Sequence, residues 1–198
     1  MTRKPNLEAR EKILKAALSL MRERGFNAVS MDDVARSAGI KKANLFHYFP
    51  TKEELGLAVF DFAAARVRDD VREQLSQGED PIRQVSAMFA ALQKSMGEGR
   101  CRGGCPIGNL AAELSDQYER IRKRIAACFQ EWSGEVAASL ERGRRDGYFR
   151  RDLKAGEAAE AILSLFEGAT LMCKAKKDVK PLENARDMAV EYLRGYKR

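Results

Sequence analysis

The sequence predicts an all-α protein, and three observations carry that expectation. Apolar residues recur at spacings of three and four along almost the whole chain. No apolar/polar alternation lasts long enough to count as a strand, and no repeats or low-complexity tracts occur. Ser, Thr, Gly and Pro fall where helices should start and stop. The 198 residues are 44% hydrophobic and 33% charged, a globular mixture long enough to bury a core without disulfide or metal staples.

The elements follow in order. Ile13, Leu14, Ala17, Leu18, Leu20 and Met21 define a first helix of about 18 residues, with Asn6 as its N-cap and Gly25 as its stop. Ser30-Met31-Asp32-Asp33 is a capping box for a short second helix that carries Met31, Val34 and Ala35 inward. That helix ends at Ala38-Gly39, where Gly39 supplies the left-handed backbone of a sharp turn. A third short helix runs from Lys41 to about His47, and Pro50 stops it. Thr51 to Glu54 forms another capping box, opening a long helix with Leu55, Ala58, Val59, Phe62, Val67, Val71 and Leu75.

Gly78 and Pro81 separate that helix from the next, residues 81–96. Five Gly and Pro106 make 97–108 a loop or broken turn. Leu110 to Leu114 follow, then a helix to about Arg145 that Gly143 and Gly147 end. The last helices are 155–176 and 181–195, with Pro181 at the first helical position. Ala158, Ala161, Ile162, Leu165, Phe166, Ala169, Met172 and Cys173 cover a wider face than one core contact needs. Leu182, Ala185, Met188, Ala189, Tyr192 and Leu193 do the same, and these broad faces predict a dimer interface.

Composition narrows the function. Lys and Arg number 36 against 29 Asp and Glu, a net charge of +7. Residues 1–52 hold +6 of it, so a basic head sits on a nearly neutral body, which points to nucleic acid at the N-terminal end. No apolar signal region follows the first residues and no run approaches membrane-spanning length, so a cytoplasmic protein without a membrane partner is expected. Four Cys (101, 105, 128 and 173) in a reducing compartment do not imply a disulfide framework. The one His, His47, excludes Cys2His2 fingers and His-rich metal sites. Neither a dinucleotide fingerprint nor a phosphate-binding loop occurs. No metal, cofactor or enzyme active site is expected.

Residues 30–48 carry the main signal: a short capped helix, a Gly turn, and a second short helix with two Lys at its start. A helix-turn-helix sets the first turn of its second helix against base edges and anchors the surrounding backbone on phosphates. Lys41 and Lys42 lie where groove contacts are made, Asn44 can hydrogen-bond a base edge, and the small Ala43 allows close approach. His47, Tyr48 and Lys52 follow on the groove-facing or flanking surface.

Ala28 to Ala35, Ala38-Gly39-Ile40 and Leu45 to Leu55 resemble the DNA-binding domain of the TetR family of bacterial repressors. The match runs without a gap over about residues 9–60; beyond it only helix number and length agree. The resemblance implies a homodimer in which a three-helix DNA-binding domain (residues 1–52) binds a palindromic double-stranded operator. Residues 53–198 would form a helical ligand-binding and dimerisation domain, from which a small-molecule effector releases the DNA. Ser30 resembles the helix N-cap that touches phosphate, Lys41, Lys42, Ala43 and Asn44 the groove-facing residues, and Tyr48 and Lys52 the backbone clamp. Phe46 occupies a position often held by Tyr, so a phenolic phosphate contact is missing; Phe46 and Phe49 read as core.

Gly104 to Leu114 also resembles a segment in a branch of the family that responds to reactive electrophiles or small unsaturated acids. This singles out Cys101, Cys105 and Asn109 as effector or sensor residues, with Arg100 and Arg102 the nearby charges that would favour a thiolate. The inert reading of the same residues is a tight loop around small apolar side chains. Cys128 and Cys173 read as core. Met88, Phe89, Leu92, Phe129, Trp132, Phe166 and Met172 supply material for an apolar effector cavity, and equally for an ordinary helical core. Two other readings stay open: a thiol-based electrophile scavenger using Cys105, which lacks a His partner, and a non-specific nucleic-acid-binding protein.

Overall fold

Ser30 organises the first turn of the chain's second helix as its sequence suggests. Its hydroxyl accepts the Asp33 N–H at 3.1 Å while its own N–H donates to the Asp33 carboxylate at 3.0 Å, a complete capping box. In the computed structural model, which describes residues 7–76 and 78–198, such local rules yield α1 (Leu7–Arg24), α2 (Met31–Ser37), α3 (Lys42–Tyr48), α4 (Lys52–Leu75), α5 (Pro81–Glu98), α6 (Pro106–Leu114), α7 (Glu119–Arg145), α8 (Ala155–Lys176) and α9 (Lys180–Arg194). The expected N-cap of α1, Asn6, lies outside the described residues. No β-strand occurs among them; Phe149 and Lys197 form one isolated antiparallel bridge.

The chain packs as two units. The first comprises residues up to Arg66 together with Pro106–Ile125. Its core is built from Ile13, Leu14, Ala17 and Met21 of α1, Val34 and Ala35 of α2, Leu45 of α3, and Leu55, Val59 and Phe60 of α4. Each of these side chains larger than alanine contributes roughly 1.5–3 kcal/mol by leaving water. Met31, expected inside, is only half-buried. Phe26 and Val29, in the turn between α1 and α2, are fully buried, so that turn is clamped to the core. Gly39 adopts a φ of +62° between α2 and α3. Gly56 is small for another reason: a Cβ there would come within 2.5 Å of the Phe26 ring.

α6 belongs to this first unit and packs on α1. This corrects the expectation of a loop over 97–108. α5 continues through Gly97 to Glu98, and Pro106, Ile107 and Gly108 form the first turn of α6. Pro is favoured at a helix start, where its missing N–H has no partner to lose, and Ile107, Leu110 and Leu114 bury one side of the helix.

The second unit comprises Val67–Cys105 and Ala126–Arg198. α9 packs against both α5 and α8, burying Leu182, Ala185, Ala189 and Leu193 against a core that includes Val85, Phe89, Ile162 and Cys173. Asp80 caps α5, accepting from the N–H groups of Ile82 and Arg83, and also takes the Tyr148 hydroxyl at 2.8 Å. Burial and this carboxylate push the Tyr148 phenol up to about 12. Gly143 does not end α7, contrary to the sequence expectation; the helix runs on to Arg145. A Cβ at Gly143 would meet Pro81 Cγ at 2.7 Å and the Phe149 ring at 3.0 Å, so the residue permits close packing rather than breaking the helix. Gly147, with φ +80°, makes the turn beyond it.

Candidate nucleic-acid interface and effector site

The recognition segment presents its polar residues outward. Lys41, Lys42, Ala43, Asn44 and His47 are exposed, Tyr48 is half-buried, and Leu45 and Phe49 hold α3 to the core. Lys41 is the N-cap residue, in extended backbone and without a side-chain cap. Lys42 opens the helix, pairs with Asp32 of α2 at 2.8 Å, and lies over the Phe46 ring at 6.0 Å. Phe46 corrects the expectation of a core residue: it is 38% exposed. Leu45 and Phe49 already fill the inward face of this seven-residue helix, and Phe46 lies a quarter-turn away from Leu45.

Ser30 and Lys52 make internal contacts. Ser30 is engaged by Asp33 through both its backbone and its hydroxyl. Lys52 donates to the Asn27 carbonyl at 3.0 Å and lies 4.7 Å from the Phe26 ring centre, so its ammonium braces the α1–α2 turn. Glu113 of α6 holds the same turn from the other side. Its two carboxylate oxygens accept the N–H groups of Phe26 at 2.7 Å and Asn27 at 2.6 Å. Sequence reasoning missed Glu113, although it is the one charged residue in α6, an available signal.

In the second unit Cys101 and Cys105 are both buried, 2% and 8% exposed. Arg100 and Cys101 take left-handed backbone, φ +50° and +54°, and the Cys101 N–H donates to the Met96 carbonyl at 2.7 Å, closing the end of α5. Lys177 reaches the Cys101 carbonyl at 3.5 Å. The expected arginine support for Cys105 gives way to a different neighbour: its thiol is hydrogen-bonded to the Glu167 carboxyl, while the Arg100 and Arg102 side chains are exposed. Burial pushes the Glu167 pKa up, an effect the Cys105 hydrogen bond partly offsets. Glu167 was also missed; it is the lone charge between Glu160 and Lys174. Cys173 is fully buried, as read, and burial pushes its thiol up. Cys128, read as core, is only half-buried.

The aromatic and sulfur residues separate into two groups. Met88, Phe89, Trp132 and Phe166 are buried, and Phe166 contacts Phe89 and Trp132 edge-on, at 5.2 and 5.3 Å between ring centres. Leu92 and Phe129 are half-buried, and Met172, read as cavity lining, is 49% exposed. Asn109 lies half-buried in α6 of the first unit.

A capped two-helix motif on a three-helix support, with exposed lysines at the start of its second helix, defines a helix-turn-helix DNA-binding protein. Residues 13–59 match the family model of bacterial regulatory proteins of the tetR family, and residues 81–189 match that of the tetracyclin repressor-like C-terminal domain. The chain belongs to the TetR family of bacterial transcriptional regulators. It is 25% identical over 185 residues to the transcriptional repressor DhaR of Mycobacterium sp. strain GP1, covering 93% of this chain and 91% of that one. It is 26% identical over 181 residues to the repressor NemR of Escherichia coli K12, covering 90% of each. A crystal structure of a TetR regulator from Chloroflexus aurantiacus superposes with a TM-score of 0.87 at 26% identity, covering 96% of both chains. No described helix is long and apolar enough to cross a membrane.

Proposed function

We propose that the chain is a cytoplasmic homodimeric repressor that binds a palindromic operator through residues 1–52 and is released by an effector acting on residues 53–198. The observation that carries this is the exposed run Lys41 to Asn44 at the start of α3, held by a capped α2 and a buried Leu45. Ser30, Lys41, Lys42, Ala43, Asn44, His47, Tyr48 and Lys52 are the proposed DNA-contacting residues. Lys41, Lys42 and Asn44 offer base-edge donors, Ala43 allows close approach, and the others contact the backbone. The similarity to two named repressors supports the direction of regulation.

Dimerisation through α8 and α9 is supported by Leu165, Leu171, Met172, Met188 and Tyr192, which leave 40% to 65% of their surface exposed. The effector reading rests on Cys101, Cys105, Asn109, Met88, Phe89, Leu92, Phe129, Trp132 and Phe166. Within it, the Cys105 thiol is hydrogen-bonded to the Glu167 carboxyl, so modification of either residue would disturb the other. A mobility shift on the DNA upstream of the chain's own gene, with and without small acids and electrophiles, tests the whole proposal. Retarded DNA released by one of these compounds is the expected result. Equal affinity for unrelated duplexes overturns operator recognition, and release that persists in Cys105→Ser overturns the thiol's part.

A further inference from the structure

The second unit holds two buried polar atoms with no hydrogen-bond partner among the described residues: Nε1 of Trp132 on α7 and Oε1 of Glu167 on α8. Buried donors and acceptors are almost always satisfied, so a pair of exceptions asks for an explanation, and a bound group is one. The two residues are linked through Phe166, whose ring Trp132 meets and which Glu167 follows on α8. Trp132, 6% exposed, meets Phe166 edge-on at 5.3 Å, Phe89 meets that ring at 5.2 Å, and Glu167 is the next residue on α8. The group hydrogen-bonded to Glu167 is the Cys105 side chain. No Lys or Arg is paired with it among the described residues.

Glu167 is half-buried with its Oε1 shielded from water, and a carboxylate in such a place is favoured by a cation beside it. The residue before it, Phe166, lies against Phe89 and Trp132; aromatic faces attract positive charge, and the indole N–H needs an acceptor. A neutral ligand would satisfy the indole and leave the acid without a counter-charge. An anion would set like charges together. We propose that Glu167, Trp132, Phe89 and Phe166 form a site for a small organic cation: a protonated amine that donates to Glu167 Oε1 and lies against the aromatic rings, with an ether or carbonyl oxygen accepting the Trp132 N–H. The assignment rests on the effector reading of this half of the chain and names the chemical class of the effector.

Trp132 is the only tryptophan, so intrinsic fluorescence reports directly on the site. The probes are 2-phenoxyethylamine, 2-phenoxyethanol and phenoxyacetate, which share a ring and an ether oxygen and differ in charge. The amine is expected to change Trp132 emission saturably and to bind about ten-fold or more tightly than the alcohol, as a charge-assisted hydrogen bond requires. The acetate is expected not to bind. Glu167→Gln, which keeps size and hydrogen-bonding capacity, should erase the amine's advantage and leave the alcohol unchanged. Trp132→Phe, followed by calorimetry, should weaken amine and alcohol alike and keep the preference between them. Failure of the amine to bind, equal binding of amine and alcohol, or a preference that survives Glu167→Gln overturns the site. A mobility shift separates this from the effector reading. An amine that binds at Trp132 and leaves DNA bound upholds the site and removes its regulatory role. Release by a neutral or thiol-reactive compound, with no amine binding, does the reverse.

Discussion

Lys42 is held in the free protein by an exposed ion pair with Asp32 and by the Phe46 ring beneath it. Such a pair contributes at most about 1 kcal/mol, so opening it toward a base edge costs little, while the pair keeps the ammonium near the start of α3. Lys42→Ala should therefore lose roughly 1–3 kcal/mol of binding to the preferred sequence and relax discrimination at one position. Tyr48→Ala should weaken binding evenly across sequences. Competition shifts against duplexes altered one base pair at a time measure both, and unchanged discrimination in Lys42→Ala would place the wrong residue in the groove. Gly56 gives a stability test at the same scale. Its missing Cβ leaves room for the fully buried Phe26 ring, and overpacking of this kind costs typically about 1–3 kcal/mol. Gly56→Ala should lower the thermal midpoint; an unchanged midpoint would mean that Phe26 yields freely. Phe46 shows what the sequence could not settle at this scale. With aromatics at 46 and 48 in a seven-residue helix and at 49 as its C-cap, periodicity does not say which of them faces in.

Helix α6 ties its own position to the turn between α1 and α2 through one side chain, Glu113. Two N–H groups end on its carboxylate, at 2.7 and 2.6 Å, where the chain has just left α1 through the positive-φ Gly25. Removing it leaves both donors without that partner, and hydrogen bonds to a charged group contribute about 1.5–3 kcal/mol each. Glu113→Ala should speed amide exchange at Phe26 and Asn27 before it affects the core of α4, and should weaken DNA binding by loosening the seat of α2. Exchange at the native rate would deny the clamp. Most elements were legible in the sequence because their signals were local: capping boxes, Pro at a first turn, and apolar spacing placed α2, α4, α8 and α9 to within a residue or two. The errors fall where a residue serves a distant partner. Glycine at 97, 108 and 143 reads as a breaker, yet all three lie within helices, and for Gly143 the reason is the nearness of Pro81 and Phe149. Glu113 and Glu167 likewise answer to residues far along the chain, and no local pattern names those partners.

For the whole molecule the proposed palindromic operator would require two-fold symmetry. A helix-turn-helix reader of a palindrome needs two recognition helices about 34 Å apart, one turn of DNA, which a single recognition segment does not supply. Sequence reading found broad apolar faces on the last two helices, and the structure divides them. Ile162, Phe166, Cys173, Leu182, Ala189 and Leu193 go inward, whereas Leu171 and Met188 are each 65% exposed and Met172 and Tyr192 nearly half. Scattered exposed apolar residues are ordinary on a monomer, but several on two adjacent helices fit the proposed dimer surface. A charge introduced there would be buried unpaired in a dimer and solvated in a monomer, so it should act on association and leave the fold intact. Leu171→Glu and Met188→Glu should each shift micromolar protein from dimer to monomer in sedimentation while the helical circular dichroism stays native. The same variants should lose most operator affinity, and the salt dependence of what remains should fall by about half, because a monomer displaces counterions from one half-site only. A native protein that sediments as a monomer, or charged variants that remain dimeric and bind DNA as before, would show that α8 and α9 are not the interface.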